Sequence, residues 1–380
     1  MPRPLETPPL GGTRQLRRWH RARILQAIRK EPGVSRLRLA RKLGLSPSAV
    51  TEVVAELLAE GLVRERPLPP RGQGRPSVAL EVEGKRHLAL AWEIDVDRMA
   101  VALMNLRGEV RARVALPPAP PRLEEALAQL QEATAPHLKG VRVLAAGLSV
   151  PGLLEPSSGH LTLAPNLDWA DLPLLERFRE ALAGLGLERI PAVVENEANA
   201  AAYGLYALGR LGAEGEDPLA LEHCVYLSLG VGVGGGVVVG RKVYHGARFH
   251  AGEVGHIPLE PEGPPCRCGK RGCAEAFLSY RRWLEAPSEA RLAEMAERLA
   301  QLLGVVLATL DPGRVVLGGP LVEATGEALL PAVRARLSRY ALAVHTPEQV
   351  VLSPLGREAA LLGTGALALD FFVETSYEEA

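Results

Sequence analysis

The sequence predicts an α/β protein in two parts, an N-terminal winged helix-turn-helix followed by a two-lobed α/β body. Three observations predict it: a charge split near residue 80, a helix–turn–helix–strand–loop–strand punctuation ahead of the split, and two rounds of strands and helices behind it. Residues 1–80 hold 16 Lys and Arg against 6 Asp and Glu, a net of +10, whereas residues 81–380 hold 28 against 38, a net of −10. The neutral total is therefore a cancellation. A compact basic unit on an acidic partner is the footprint of nucleic-acid binding by one end only; a merely soluble Arg-rich surface is the bland alternative. With 47% apolar and 23% charged residues, the chain can bury a sizeable core. Four cysteines in 380 residues exclude a disulfide scaffold and suit a reducing compartment. The first 30 residues lack an apolar signal core, and the longest apolar run, 224–240, holds six glycines and reads as strand–loop–strand. The expectation is a cytoplasmic chain with no membrane partner.

In the head, Leu16, Trp19, Ile24, Leu25 and Ile28 recur at helical spacing, and Pro32-Gly33 ends that helix. Ser35 is placed to cap a short helix with Leu37, Leu39, Ala40 and Leu43 inward, which Gly44 closes in the left-handed conformation. Ser46 as cap and Pro47 at the first helical position open the next helix, which buries Val50, Val53, Val54, Leu57 and Leu58. The second helix of such a pair enters the major groove by its N-terminal end, which puts Ser46, Ser48 and Thr51 nearest DNA. Strands at 62–66 and 78–82 flank a loop whose Arg71 and Arg75, on a glycine frame, suit a narrow minor groove.

Behind residue 84 come strands at 87–94, 99–106 and 110–116, then a helix, a strand at 143–149, an irregular stretch, a helix at 174–185, a strand at 192–195 and a helix at 198–209. A second round has strands at 224–229 and 236–239, a helix at 289–310, strands at 314–317 and 349–353, and a last helix from 359. The boundaries expected are 11–82 for the head and 86–370 for the body, with lobes at 86–200 and 222–370 and a ligand cleft between them.

Three clusters carry chemistry. Cys266, Cys268 and Cys273 lie within eight residues with glycines that let the loop fold back, and His256 completes a Cys3His set typical of structural zinc. A redox-active Cys-x-Cys or reduced core thiols are the alternatives, although Arg267, Lys270 and Arg271 argue against an apolar core. A metal on that loop would also orient Glu253 and Glu275, and carboxylates held near an imidazole suit vicinal hydroxyls; alone, such acids are more often solvated surface. The third cluster, 195–199, puts Asn196 and Glu197 at a strand end, where α/β sheets place ligands, unless Asn196 simply caps the helix. The glycines of 230–236 can cradle phosphate or form a tight hairpin.

Together these residues resemble the ROK family, which unites bacterial sugar kinases with sugar-responsive repressors. The resemblance runs from His87 to Leu369, and Gly-Glu-x-Gly-His at 252–256 with Cys-x-Cys-Gly-x-x-Gly-Cys-x-Glu at 266–275 makes it specific. The head looks like that of the repressor branch, including Gly-Arg-Pro at 74–76. The resemblance implies an actin-like/sugar-kinase duplicated domain, a homo-oligomer (dimer or tetramer), structural Zn2+, and sugar hydroxyls held by Asn166, Asn196, Glu197, Glu253, His256 and Glu275, with Gly152 bordering the cleft.

Two departures separate this chain from the family's kinases. Their Asp-x-Gly-Gly-Thr phosphate loop corresponds to 93–98, where Asp95 and Asp97 add negative charge beside the place of ATP's phosphates, worth roughly 4 kcal/mol of repulsion at about 4 Å. Their catalytic aspartate is matched by Glu197, whose extra methylene displaces the base. The resemblance therefore implies no catalytic residue. It implies a repressor, most similar to the family's xylose repressors, that a monosaccharide releases from double-stranded operator DNA. The alternative is an ATP-dependent sugar kinase with an added DNA-binding head, which the later glycine loop and Gly318-Gly319 keep open.

Overall fold

A computed structural model describes residues 12–67, 78–209 and 219–375. The head begins with α1 (Thr13–Lys30), α2 (Arg36–Leu43) and α3 (Pro47–Ala59). The Ser35 hydroxyl accepts the N–H of Arg38 at the start of α2, and Gly44 ends that helix at φ 65°. The Ser46 hydroxyl accepts the N–H of Ala49, with Pro47 leading α3, so both caps stand where the punctuation puts them. Trp19, Ile24, Leu25, Ile28, Leu39, Val50, Val53, Val54 and Leu57 are buried in one core. Leu37 is the exception to the expected inward set: it is 53% exposed, because two residues from Leu39 is about 200° around a helix. β1 (Val63–Pro67) and β2 (Val78–Val82) pair antiparallel with Val63 opposite Val82. Residues 68–77 between them, Arg71 and Arg75 included, lie outside the described residues.

The first lobe contains β3 (His87–Ile94), β4 (Met99–Asn105), β5 (Val110–Leu116), α4 (Leu123–Thr134) and β6 (Arg142–Val150). It continues through β7 (Leu153–Glu155), β8 (His160–Ala164), β9 (Trp169–Leu172), α5 (Leu174–Ala183), β10 (Ala192–Asn196) and α6 (Glu197–Leu208). After α7 (Leu219–Glu222), the second lobe runs β11 (His223–Leu229), β12 (Val233–Val239), β13 (Lys242–Val243), α8 (Ala274–Leu278), α9 (Tyr280–Glu285) and α10 (Glu289–Leu310). It ends with β14 (Arg314–Gly318), α11 (Pro320–Thr325), α12 (Leu329–Leu337), β15 (Val350–Leu352) and α13 (Ala359–Thr375). The sheets have orders β5-β4-β3-β6-β10 and β13-β12-β11-β14-β15. Each is an antiparallel meander whose first strand then gains two parallel neighbours on its other side, so the topology is duplicated.

Strand β3 is buried along its whole length and faces two cores. Leu88, Leu90, Trp92 and Ile94 pack towards α4 and α5, while Ala89 and Ala91 lie on the opposite face with residues of α13. The last helix thus returns to cover the first lobe's sheet, and α6 packs on β12 of the second lobe. Small residues allow this exchange of helices. A side chain at Gly363 would run into the carbonyl of Ala200, and one at Gly236 into that of Ala198.

Two expectations need correction. The irregular stretch after β6 is a three-stranded sheet, β7-β8-β9, whose strands of three to five residues are too short to show alternation. The glycine loop is shorter than expected: β12 starts at Val233, and Gly234, Gly235 and Gly236 pair with Ser228, Leu227 and Tyr226. Those glycines admit α6 and the segment at 252–255 to backbone contact, so close packing accounts for them without a phosphate. Among the described residues no helix is long and apolar enough to cross a membrane.

Candidate functional site

The second lobe folds its Cys loop over residue 256. Backbone bonds from Cys266 N–H to Lys270 carbonyl (2.8 Å) and from Gly269 N–H to Cys266 carbonyl (3.1 Å) close the loop, and a bridge between Pro258 and Cys273 sets it beside the 254–256 turn. The ligand atoms of His256, Cys266, Cys268 and Cys273 all lie within 4.8 Å of one another. Cys266 Sγ is 3.7 Å from His256 Nδ1, and Cys268 Sγ is 3.7 Å from Cys273 Sγ. Ligands about 2.3 Å from a tetrahedral centre stand about 3.7 Å apart, so the residues fit a four-coordinate metal. None of the four cysteines is in a disulfide.

His256 divides its two nitrogens. Nδ1 faces Cys266, while Nε2 is 3.7 Å from Glu253 Oε2, so one imidazole can serve a metal and a cleft ligand together. Burial, helped by the charge of Glu275, holds the Glu253 carboxyl above the ordinary range despite the pull of His256. Glu275 opens α8; its Oε2 accepts the N–H of Val233 (3.1 Å), and its Oε1 accepts from Cys266 Sγ (3.5 Å).

The first lobe supplies the opposite wall. Asn196 caps α6, its Oδ1 accepting from the N–H groups of Ala198 (2.8 Å) and Asn199 (3.2 Å), and its Nδ2 donates to the Gly152 carbonyl (3.1 Å). Capping is thus a real duty of Asn196, and one amide hydrogen remains for a ligand. Gly152 sits at φ 115°, pressed against Leu163 and Ala164, where any side chain would collide. The chain at 232–234 is where the walls meet: Asn166 and Glu275 both border Gly232, and Glu197 borders Gly234. Glu197 Oε2 is buried without a hydrogen-bond partner. Burial, reinforced by Asp95, raises its carboxyl well above the ordinary range and favours the neutral acid.

The β3–β4 turn departs from its expected electrostatics. Arg98 Nη2 donates to Glu93 Oε2 (2.7 Å) and to the carbonyl of Arg357, and Arg357 pairs with Asp97. Two of the three acids therefore have guanidinium partners, and only Asp95 lacks one; its carboxylate accepts the Val96 N–H at 2.7 Å. Burial pushes Glu93 up to about 7, against the pull of Arg98, and Asp95 up to about 6. The turn is less repulsive than its acids alone suggest, and Arg98 and Asp97 tie it to residue 357 beyond the second sheet.

Sequence reasoning missed several polar contacts, two of them across the lobes. Glu195 Oε2 is 2.8 Å from His245 Nε2, and its Oε1 accepts from Asn199 Nδ2 (3.1 Å). Arg267, inside the Cys loop, donates to Asn166 Oδ1 (3.0 Å). These partners lie 50 and 101 residues apart, and nothing in spacing joins them.

On the head, Ser46, Ser48 and Thr51 are exposed together at the start of α3. Ser46 and Ser48 share a hydrogen bond (3.0 Å), and the Thr51 hydroxyl donates to the Pro47 carbonyl (2.8 Å). Nearby acids are engaged inside the head: Glu31 by Arg38 and Lys42, Glu56 by Arg17, Glu60 by Arg21, Glu65 by Arg36.

Comparison with known proteins follows the same division. Residues 90–371 match the ROK family, and residues 21–64 match a winged helix-turn-helix DNA-binding family. The xylose repressor of Caldicellulosiruptor bescii is 31% identical over 280 residues, 72% of this chain and 66% of that relative, so the chain spans just under two thirds of its length. The xylose repressor of Bacillus subtilis (strain 168) is 27% identical over 383 residues, 92% of this chain and 95% of the relative. A solved ROK family transcriptional regulator, a homolog of the E. coli MLC protein, superposes with TM-score 0.76 at 20% identity over 96% of this chain and 98% of its own. The ROK hexokinase from Thermus thermophilus superposes with TM-score 0.59 at 30% identity over 74% of this chain and 97% of its own. Similar proteins thus include both regulators and kinases.

Proposed function

The chain belongs to the ROK family, and on that premise we propose that it is a repressor whose head, 11–82, binds double-stranded operator DNA until a monosaccharide enters the cleft of its body, 86–370. The observation that carries this reading is the latch of Arg98 and Asp97 on residue 357, which occupies the side of the cleft where a kinase needs a glycine loop open to phosphate. Glu197 supports it from the other side, since burial favours its neutral acid, which is suited to hydrogen-bonding a sugar hydroxyl. The protein binds sugar without phosphorylating it and has no catalytic residue.

Sugar hydroxyls are held by Asn166, the free amide hydrogen of Asn196, Glu197, Glu253, His256 Nε2 and Glu275, with Gly152 at the cleft edge. His256, Cys266, Cys268 and Cys273 hold a structural Zn2+, which supplies fixed geometry to His256 and to the loop bearing Glu275. Because two relatives are xylose repressors, xylose is the first sugar to test. Ser46, Ser48 and Thr51 lie at the groove, Arg71 and Arg75 add contacts to DNA, and a homo-oligomer in the cytoplasm sets the spacing of two heads. Purified protein should retard DNA from upstream of its own gene, xylose should release it, and a coupled ADP-release assay should stay flat. Absence of retardation at moderate salt, or steady ADP release with a monosaccharide, would refute the proposal.

A further inference from the structure

Among the described residues, a hollow open to solvent lies at the joint between head and body. Its volume is about 650 Å³, and it is lined among others by Gln26 and Arg29 of α1, Arg107 of the β4–β5 turn, Leu208 at the end of α6, and Asp370 of α13. One edge of the joint is fastened through backbone acceptors. Arg107 donates to the Val82 carbonyl (3.2 and 3.1 Å), and Asn105 Nδ2 donates to the Gly84 carbonyl (2.8 Å), which fastens the end of β2 to the β4–β5 turn. These contacts touch no part of the cleft.

The other edge is fastened by three side chains that do lead to the cleft. Arg29, in the last turn of α1, pairs through Nη1 with Asp370 Oδ1 while its Nε donates to the Leu106 carbonyl (3.2 Å). The second oxygen of Asp370 accepts the hydroxyl of Tyr203. The side chains of Arg29 and Asp370 are only 12% and 18% exposed, whereas the Arg17–Glu56 pair within the head is 56% and 36% exposed. Shielding from water makes the first pair the stronger and more directional of the two.

Tyr203 sits on α6, six residues beyond Glu197, a rise of about 9 Å along a rigid helix. The same helix begins at the Asn196 cap and is in backbone contact with α13 at Gly363. Sugar hydroxyls taken up by Asn196 and Glu197 load the start of α6, and a displacement of that helix reaches Tyr203 and its partner Asp370. We infer that Tyr203, Asp370 and Arg29 are positioning residues that carry the state of the cleft to the angle of the DNA-reading head. Arg29 forks between the Leu106 carbonyl and Asp370 of α13, so a shift of α13 turns α1 about the β4–β5 turn. Two sites are coupled through one element that both of them bias.

This inference rests on the repressor reading, and one experiment separates their failures. Operator affinity of the full chain is measured by fluorescence anisotropy with and without xylose, then with glucose as a second probe, for the parent, Tyr203→Phe and Asp370→Asn. Calorimetry gives sugar affinity for each, and melting curves confirm the fold. Sugar affinity and sugar-free operator affinity should stay within threefold of the parent in both variants. The sugar-induced loss of operator affinity should shrink at least tenfold, a readout that a merely structural role would not move. Tyr203→Phe removes one hydroxyl and keeps the ring, so it tests the link even where Asp370→Asn melts early. Variants that respond as fully as the parent overturn the coupling alone. A parent that binds operator with no response to either sugar overturns the repressor reading and the coupling with it.

Discussion

The two lobes carry the same hairpin at the same place in the same topology, and they use it oppositely. In the second lobe the β11–β12 connection is Gly230, Val231 and Gly232, and Asn166 and Glu275 press against its backbone. In the first lobe the β3–β4 connection carries Asp95, Asp97 and Arg98, and guanidinium pairs bind it to residue 357. Glycine persists where another group must approach the main chain; charged side chains fill the position where none does. The contrast teaches how a duplicated fold can specialise: one hairpin keeps a bare backbone that polar side chains approach, while the other is tied down by its own side chains.

The comparison breaks most visibly at Gly236. Alanine there would meet the Ala198 carbonyl, with backbone on both sides and nothing to swing away. Gly236→Ala should cost about 3 kcal/mol in urea unfolding, whereas Asp97→Gly on the other hairpin should cost no more than about 1 kcal/mol. Equal costs would mean that the hairpins are not specialised as described. A smaller effect is expected at His256, Cys266, Cys268 and Cys273, whose donor atoms fit a metal and lie only in the second lobe. Cys273→Ser should abolish bound zinc by atomic absorption and weaken sugar binding at least tenfold, about 1.4 kcal/mol, in calorimetry.

Protonation sharpens the comparison from the first lobe. Burial raises Asp95 to about 6, so its neutral form suits the folded state and its ionised form does not. Its support is complete below the unfolded value near 3.9 and is lost as pH rises to about 6. Asp95→Asn keeps the acceptor for the Val96 N–H and removes the titration. The variant should match the parent at pH 4 and exceed it by about 2 kcal/mol at pH 7, read as a rising gap in melting temperature. A gap that opens towards acid would contradict the burial of this carboxyl. The smallest effect is expected at Arg267→Ala, which frees Asn166 Oδ1 and should weaken sugar binding about threefold, with zinc content unchanged.

How much of this was legible depends on the range of each interaction. Caps are local, and Ser35, Gly44, Ser46 and Pro47 each stand where neighbours in sequence place them. The Cys loop was legible for the same reason, since three of the four clustered residues lie within eight residues. Strands as short as β7 offer no period to read. The Glu195–His245 contact and the Arg357–Asp97 and Arg29–Asp370 pairs join residues 50, 260 and 341 apart, and only the folded chain brings them together. Charge was read correctly in sum and incorrectly in place: acids at the β3–β4 turn imply repulsion until their arginines are seen.

The central claim is that this cleft keeps its hold on sugar and has closed its nucleotide side. Calorimetric titration of the full-length protein with xylose, run with and without saturating Mg-ATP, tests it most directly. The account predicts a saturable sugar isotherm that Mg-ATP leaves unchanged, and no heat from Mg-ATP alone. A saturable Mg-ATP isotherm that tightens or displaces the sugar would contradict it.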